Sequence, residues 1–447
     1  MYRVVYGNLN QTPDVPDFID LLNSLAAHPF PPARELFNSE ADVIAARAPG
    51  RLDVMGGIAD YSGSHVLEFP IAEATFAAVQ LQTERTLNII TLMHDDSDRK
   101  SFNISLSVFD GPLEYEAARE FFQRDASNRW AAYVAGVFLV LMRERNVNFV
   151  SGANILISSR VPLGKGVSSS AALEVAVMQA VTEAFSIRVE ARDKALLCQK
   201  VENLVVGAPC GVMDQMTAVF GERDRLLLLL CQPAAIQRML TLPRRLSLWG
   251  IDSAIRHSVG GGDYGSVRDA TFQGLRIIAD VRAGTDYLAN ISPAEFESEY
   301  LDQLPEHLRI PTSHPIYENA RVQRFVELLD QCDSADNPDL LFIELGKLMY
   351  ESHRSYTALG LNSSGTDLLV ELVRNEGPGA GLFGAKITGG GSGGTVAVLG
   401  NQTSRAAIER VAANYAKETG HQPYIFTGSS SGTLAFDYLR LRPVETD

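Results

Sequence analysis

The chain has 447 residues, 46% of them hydrophobic and 21% charged, with a formal net charge of −15. That length exceeds one compact core of ordinary size, so two lobes are expected, and the composition is that of a soluble globular protein. The acidic balance repels nucleic acid and anionic membrane surfaces, so neither is an expected partner, and a phosphate ligand would need local help from backbone amides, a few cations or a metal.

Four cysteines, Cys198, Cys210, Cys231 and Cys332, are spread without a C-x-x-C pair, which argues against a disulfide framework and a zinc site. The N-terminus shows no signal peptide, and no apolar run reaches membrane-spanning length, so the expected compartment is the cytoplasm.

In chain order, residues 17–38 read as a short helix and a loop holding Pro31 and Pro32. "ADVIAARAPG" reads as a strand running into a turn, and "HVLEFPIAEATFAAVQLQ" and "LNIITLM" as strands. The spacing predicts a helix over 128–145, with a basic last turn. A strand "GANILISSRVP", a long apolar helix "SSSAALEVAVMQAVTEAF" and a second helix "DKALLCQKVENLVVG" follow. Beyond about 225 come strands "RLLLLLC" and "LSLWGIDS", helices over 266–283, 316–332 and 338–358, and strands "GTVAVLG" and "PYIFTGSS". Mixed strands and helices in both halves predict two α+β lobes with a cleft between them.

Four stretches carry chemistry. In "RVPLGKGVSSSAALEVAV", Arg160 to Val177, a strand ends, Gly164 and Gly166 loosen the backbone and three serines open a helix. The first amides of that helix lack internal partners and carry its positive dipole end, which makes a phosphate cradle. It is not a Walker A loop, because G-x-x-x-x-G-K-[ST] is missing. In "KITGGGSGGTVAVL", five glycines fall among residues 389–394, a density expected where main chain approaches a ligand closely. In "VENLVVGAPCGVMDQMTAVFG", Glu202 and Asp214 flank a turn, so one carboxylate could hold magnesium while the other takes or orients a hydroxyl proton. In "RAPGRLDVMGGIADYSG", Arg51, Asp53 and Asp60 sit in a turn-rich segment, where Arg can offset phosphoryl charge and Asp60 can accept bonds from sugar hydroxyls. The plainer readings are a capped helix, a flexible hairpin tip, a capping Asp with a solvated Glu, and a surface Arg–Asp pair.

Together and in this order, these stretches resemble the motifs of the GHMP small-molecule kinases, named for galactokinase, homoserine kinase, mevalonate kinase and phosphomevalonate kinase. "GAPCGVMDQ" and "IDSAIRHSVGGGDYGSVR" (251–268) resemble the galactokinase branch. The resemblance implies an α+β, two-lobed fold, with an N-terminal lobe like ribosomal protein S5 domain 2 and a ferredoxin-like C-terminal lobe. It divides the chain into an N-terminal extension (1–40), an ATP-binding domain (41–225) and a C-terminal domain (226–447). It implies a sugar and ATP as small-molecule partners, with Mg2+. Asp214 would be the catalytic base for the anomeric hydroxyl, and Arg51 would stabilise the transferring phosphoryl group. Ser170 and Glu202 would coordinate magnesium. Gly164, Lys165, Gly166, Val167, Ser168, Ser169, Ser170 and Ala171 would wrap the ATP phosphates, with Trp130 near the adenine. Asp60, Gly57, Ile58, Gly211 and Tyr264 would hold the sugar, with Gly390 and Gly391 close by. Lys165, where small residues are usual, either adds a phosphate contact or points outward.

Galactokinases typically read G-E-H-T-D-Y where this chain has Gly56-Gly57-Ile58-Ala59-Asp60-Tyr61, and Asn where it has Asp53. Their Glu and His bind the hydroxyl on C6 of galactose, and their Asp binds ring hydroxyls. Here the ring contact is kept and the C6 contacts are gone. L-Arabinopyranose has the ring configuration of D-galactopyranose without C6, so L-arabinose is the expected substrate. The alternatives are another galactose-like sugar (D-galactose, D-galacturonate or L-fucose) and a sugar sensor without turnover.

Overall fold

Two sheets organise the chain, and the larger draws on both ends of the sequence. The computed structural model describes residues 1–8, 12–93, 99–111, 114–255 and 262–444, so residues 256–261 of the "RHSVGGGDYGSVR" motif lie outside the described residues. The larger sheet contains β1 (Tyr2–Tyr6), β2 (Val43–Met55), β3 (His65–Gln82), β4 (Thr86–Met93), β5 (Arg99–Ser105), β6 (Gly152–Ser159), β7 (Arg225–Leu230), β8 (Ala235–Thr241) and β13 (Leu439–Pro443). Its order is β1-β13-β2-β3-β6-β4-β5, with β7 paired to β3 and β8 to β7. The smaller sheet is β10-β11-β9-β12, from β9 (Leu246–Asp252), β10 (Leu382–Ile387), β11 (Thr395–Asn401) and β12 (Ile425–Phe426).

This topology redraws the lobe boundary read at residue 225. β7 and β8 extend the larger sheet, and β13 returns from the C-terminal end to sit between β1 and β2. Residues 1–40 are built in: β1 pairs with β13, and the helix Val15–Ser24 buries Val15, Phe18 and Leu22 against Phe76 and Phe436. The helix read over 128–145 and the long apolar helix after the serines are both present. Ala132–Arg145 and Ser169–Ala184 are apolar nearly all round and form the centre of the largest core cluster.

A second apolar cluster crosses between the sheets. It joins Leu52, Val54, Leu67 and Phe69 of β2 and β3 to Leu345 and Met349 of the helix Asp339–Ala358, and to Phe383 and Leu399. The lobes therefore share a continuous core, which fixes the motifs of one against those of the other. Among the described residues, no helix is long and apolar enough to cross a membrane.

Candidate active site

"APGRLDVM" does not turn; it forms the second half of β2 and is buried throughout. Arg51 and Asp53 thus sit inside a central strand rather than in a turn-rich surface segment. Arg51 Nε and Nη2 lie 2.8 and 2.7 Å from one oxygen of Asp214, and Nη1 donates to the Gly166 carbonyl at 2.6 Å. Glu68, opposite Asp53 on β3, brings Oε2 to 3.2 Å from Arg51 Nε. Burial alone would weaken the Arg51 guanidinium; Asp214, Glu68 and Asp53 more than offset it and hold its pKa above the ordinary value. Asp214, on the helix Met213–Phe220, keeps about a fifth of its side chain exposed, while Arg51 and Glu68 are buried. A fixed cation therefore stands behind a carboxylate that still reaches solvent.

That carboxylate opens on a cavity of about 160 Å³ lined by Arg51, Ile58, Asp60, Gly211, Tyr264 and Gly390, among others. Asp60 lies in the 3-10 turn Gly57–Ser62 and accepts the Met213 amide at 3.5 Å. A Cβ on Gly211 would fall 1.8 Å from its Oδ2, so only glycine lets the "GAPCGVMDQ" stretch pass so close. Burial pushes the Asp60 carboxyl up to about 7, and nearby Asp214 adds to it.

The linkage sign for Asp60 gives a test. A carboxyl with a raised folded pKa costs stability progressively as pH rises from its ordinary value through about 7. Asp60→Asn should therefore stabilise the ligand-free protein by up to roughly 4 kcal/mol at pH 8, and by only about 1.5 kcal/mol at pH 5, about one unit above the ordinary value. Thermal unfolding at both pH values checks this, and an equal shift at each would mean that the carboxyl does not titrate between them.

The serine-rich helix Ser169–Ala184 follows Ser168, which has φ +62° and whose buried hydroxyl makes no hydrogen bond. Gly164 just before it is exposed with open space around it, and the first amides of a helix are donors suited to an anion. Glu202 sits on a π-helical turn, Val201–Val206, and accepts from the Ser170 hydroxyl and from Gln215 Nε2 at 2.8 Å. Burial, then Asp214, raises its carboxyl to about 7. Glu174, one turn beyond Ser170 on the same helix, is fully buried beside it with one oxygen unpartnered. Its pKa is pushed well up by burial and then by Glu202. Hard oxygen donors with unfilled bonding capacity fit a magnesium ion carried in on phosphates, which keeps water and phosphate ligands of its own.

The other loop residues also contact protein. Lys165 is committed elsewhere: its ammonium lies 2.9 Å from Asp252 at the end of β9, so it bridges the lobes. The glycine-rich turn at 389–394 is explained first by protein rather than by ligand. A Cβ at Gly389 would meet the Gly166 carbonyl at 2.8 Å, and one at Gly394 the Lys165 carbonyl at 2.6 Å. Gly391 packs on Leu361, and Gly390 alone of the six residues lines the cavity. Trp130, in the short helix Arg129–Ala131, is partly buried and packs against the large N-lobe core. Val167 and Ala171 are buried supports under the loop.

Models of known families match three segments: the galactokinase galactose-binding signature at 34–81, the GHMP kinases N terminal domain at 132–222 and the GHMP kinases C terminal domain at 339–418. A galactokinase of Chloroflexus aggregans is 30% identical over 88% of this chain and 93% of its own. The chain belongs to the galactokinase branch of the GHMP kinases. The kinase is also 43% identical to an Arabidopsis thaliana L-arabinokinase over 91% of its length, but spans only 47% of that relative. The galactokinase of Lactococcus lactis, solved with galactose, shares the fold with a TM-score of 0.79 at 21% identity, covering 93% of this chain and 99% of the other. Leishmania mevalonate kinase (L. major) shares it at 0.55, covering 87% and 96%. The protein is an ATP-dependent sugar kinase.

Sequence reasoning passed over two carboxylates of this kinase, Glu68 and Glu174. Each is a lone Glu in an apolar run, "VLEFPI" and "AALEVAV". A charge that burial should expel, kept in such a run, was the available signal.

Proposed function

We propose that this kinase transfers the γ-phosphate of ATP to the anomeric hydroxyl of L-arabinose, giving β-L-arabinose 1-phosphate and ADP. Asp214 takes the hydroxyl proton as the sugar oxygen attacks phosphorus. Arg51 holds that carboxylate in place and offsets the charge growing on the phosphoryl oxygens. The amides of Gly166 to Ala171 cradle the phosphates at the helix N-terminus. Ser170 and Glu202 would hold the magnesium ion, which when bound offsets phosphate charge. Asp60, ionised, accepts from ring hydroxyls, and Tyr264 and Gly211 close the sugar's flanks. Phosphoryl transfer asks little of a protein beyond such positioning and charge compensation.

The choice of sugar is carried by the cavity wall at Ile58. Ile58 is 1% exposed and lines the cavity together with Asp60 and Tyr264. A C6 hydroxyl brought there would lose water without gaining a partner, at a cost of about 1–3 kcal/mol. Arabinose should therefore exceed galactose in kcat/KM by roughly tenfold to a hundredfold. The L-arabinokinase relative points the same way. Galactose remains the second reading, favoured by the galactokinase relatives.

ADP release with L-arabinose, D-galactose, D-galacturonate, L-fucose and D-fucose, compared as kcat/KM, tests both. A clear lead for any sugar bearing C6 overturns the arabinose reading. Absence of turnover with every sugar, despite sugar binding, would indicate a sensor.

A further inference from the structure

The absence of a side chain at residue 57 has a cause three hundred residues away in the sequence. Tyr356, near the end of the helix Asp339–Ala358, is fully buried, and a Cβ built on Gly57 would fall 1.9 Å from its hydroxyl oxygen. The same hydroxyl accepts the Ile58 amide at 2.9 Å and donates to the Gly389 carbonyl at 3.0 Å. It thereby ties the sugar-facing turn to the glycine-rich turn. Its ring packs with Ile58, Leu361 and Ile387, edge-on to His314.

Residue 57 is thus barred twice over. Its φ of +50° strains any side chain. Its Cβ volume is already held by an oxygen whose two hydrogen bonds keep it from swinging aside. Ile58, meanwhile, is fixed by its amide in the wall of the cavity.

From this geometry we infer that Tyr356 is a specificity-determining positioning residue: it excludes every side chain at position 57 and sets Ile58 as the wall that stops a sixth carbon. It does not line the cavity and acts only through residues 57 and 58. The inference rests on the arabinose reading. It adds that the discrimination is enforced from the other lobe, so residues 57 and 58 cannot be changed alone. Introducing Glu and His at 57 and 58 into this chain would not restore a C6-hydroxyl site while Tyr356 stands.

The test uses Tyr356→Phe, Gly57→Ala and the double variant of the full chain. Removing the hydroxyl takes away the 1.9 Å clash but leaves the Asp53 carboxylate oxygen 2.8 Å and the ring carbon Cζ 3.0 Å from a Cβ at 57, so the relief is partial. Tyr356→Phe should raise the galactose-to-arabinose ratio of kcat/KM threefold to tenfold, mainly through a lower galactose KM. A merely structural role would lower both sugars together and leave the ratio alone. Gly57→Ala should cut arabinose kcat/KM at least tenfold or fail to fold, and Tyr356→Phe should recover part of that loss in the double variant. An unchanged sugar ratio in Tyr356→Phe overturns the inference, as does a double variant no better than Gly57→Ala. If the unmodified protein prefers galactose, the arabinose reading fails first, and the rescue of Gly57→Ala still reports on the steric claim by itself.

Discussion

Asp214→Asn should lower kcat for sugar phosphorylation by roughly 10²- to 10⁴-fold while leaving sugar affinity within a few-fold. The amide keeps the shape of the carboxylate and can still accept from Arg51, which now reaches Asp214 at 2.7 and 2.8 Å. It cannot take a proton. Because Asp214 is partly exposed and Glu68 stays 3.2 Å from Arg51, the guanidinium retains a buried counter-charge and the fold should hold. The charge change has a second readout. Asp214 is the largest charge raising both Asp60 and Glu202, so its loss should move both carboxyls downward. Steady-state kinetics and sugar titration calorimetry on the same preparation separate the two effects. A kcat within a few-fold of the unmodified protein would remove Asp214 from the chemistry.

What the sequence made legible was local. The start of the long apolar helix could be read because Gly and Ser before an apolar run mark a helix N-terminus, and the helix Ser169–Ala184 starts where the serines said it would. The alternation in "HVLEFPIAEATFAAVQLQ" gave β3 to the residue. What stayed hidden depended on distance in the chain. Nothing in "MYRVVY" announces a strand whose partner is β13, more than 430 residues on. "RAPGRLDVM" looked like a turn because Pro and Gly usually break strands. Here bulges between Pro49 and Arg51 and between Asp53 and Met55 absorb them, and β2 runs on. The same limit hid the meaning of Gly57. Its missing side chain read as a missing ligand contact, whereas the tyrosine that fills the space belongs to a helix in the other half.

The largest effect on stability should come from Lys386→Met. Lys386 on β10 and Asp53 on β2 form an ion pair in which neither side chain has any exposure. The remaining Asp53 oxygen accepts the Gly57 amide at 2.9 Å, and the Lys386 ammonium stands 5.4 Å from the centre of the Tyr356 ring. Methionine matches the volume of lysine but leaves a carboxylate in the core without its counter-charge, at a cost of roughly 3–5 kcal/mol. Burying an ion pair is rarely the most stabilising choice, so its use here calls for another reason. Asp53 supplies one: a carboxylate held rigidly by Lys386 can fix the amide of a glycine that has no side chain of its own to anchor it. The double variant Asp53→Asn/Lys386→Met separates the two roles. Asparagine removes the charge yet can still accept from Gly57, so the double variant should recover most of the lost stability and keep the sugar preference. Urea unfolding of the single and double variants measures the coupling. If Lys386→Met alone costs less than about 1 kcal/mol, Asp53 is not held as an anion by Lys386. The turn would then be held mainly by Tyr356 at the Ile58 amide and Glu318 at the Gly56 amide.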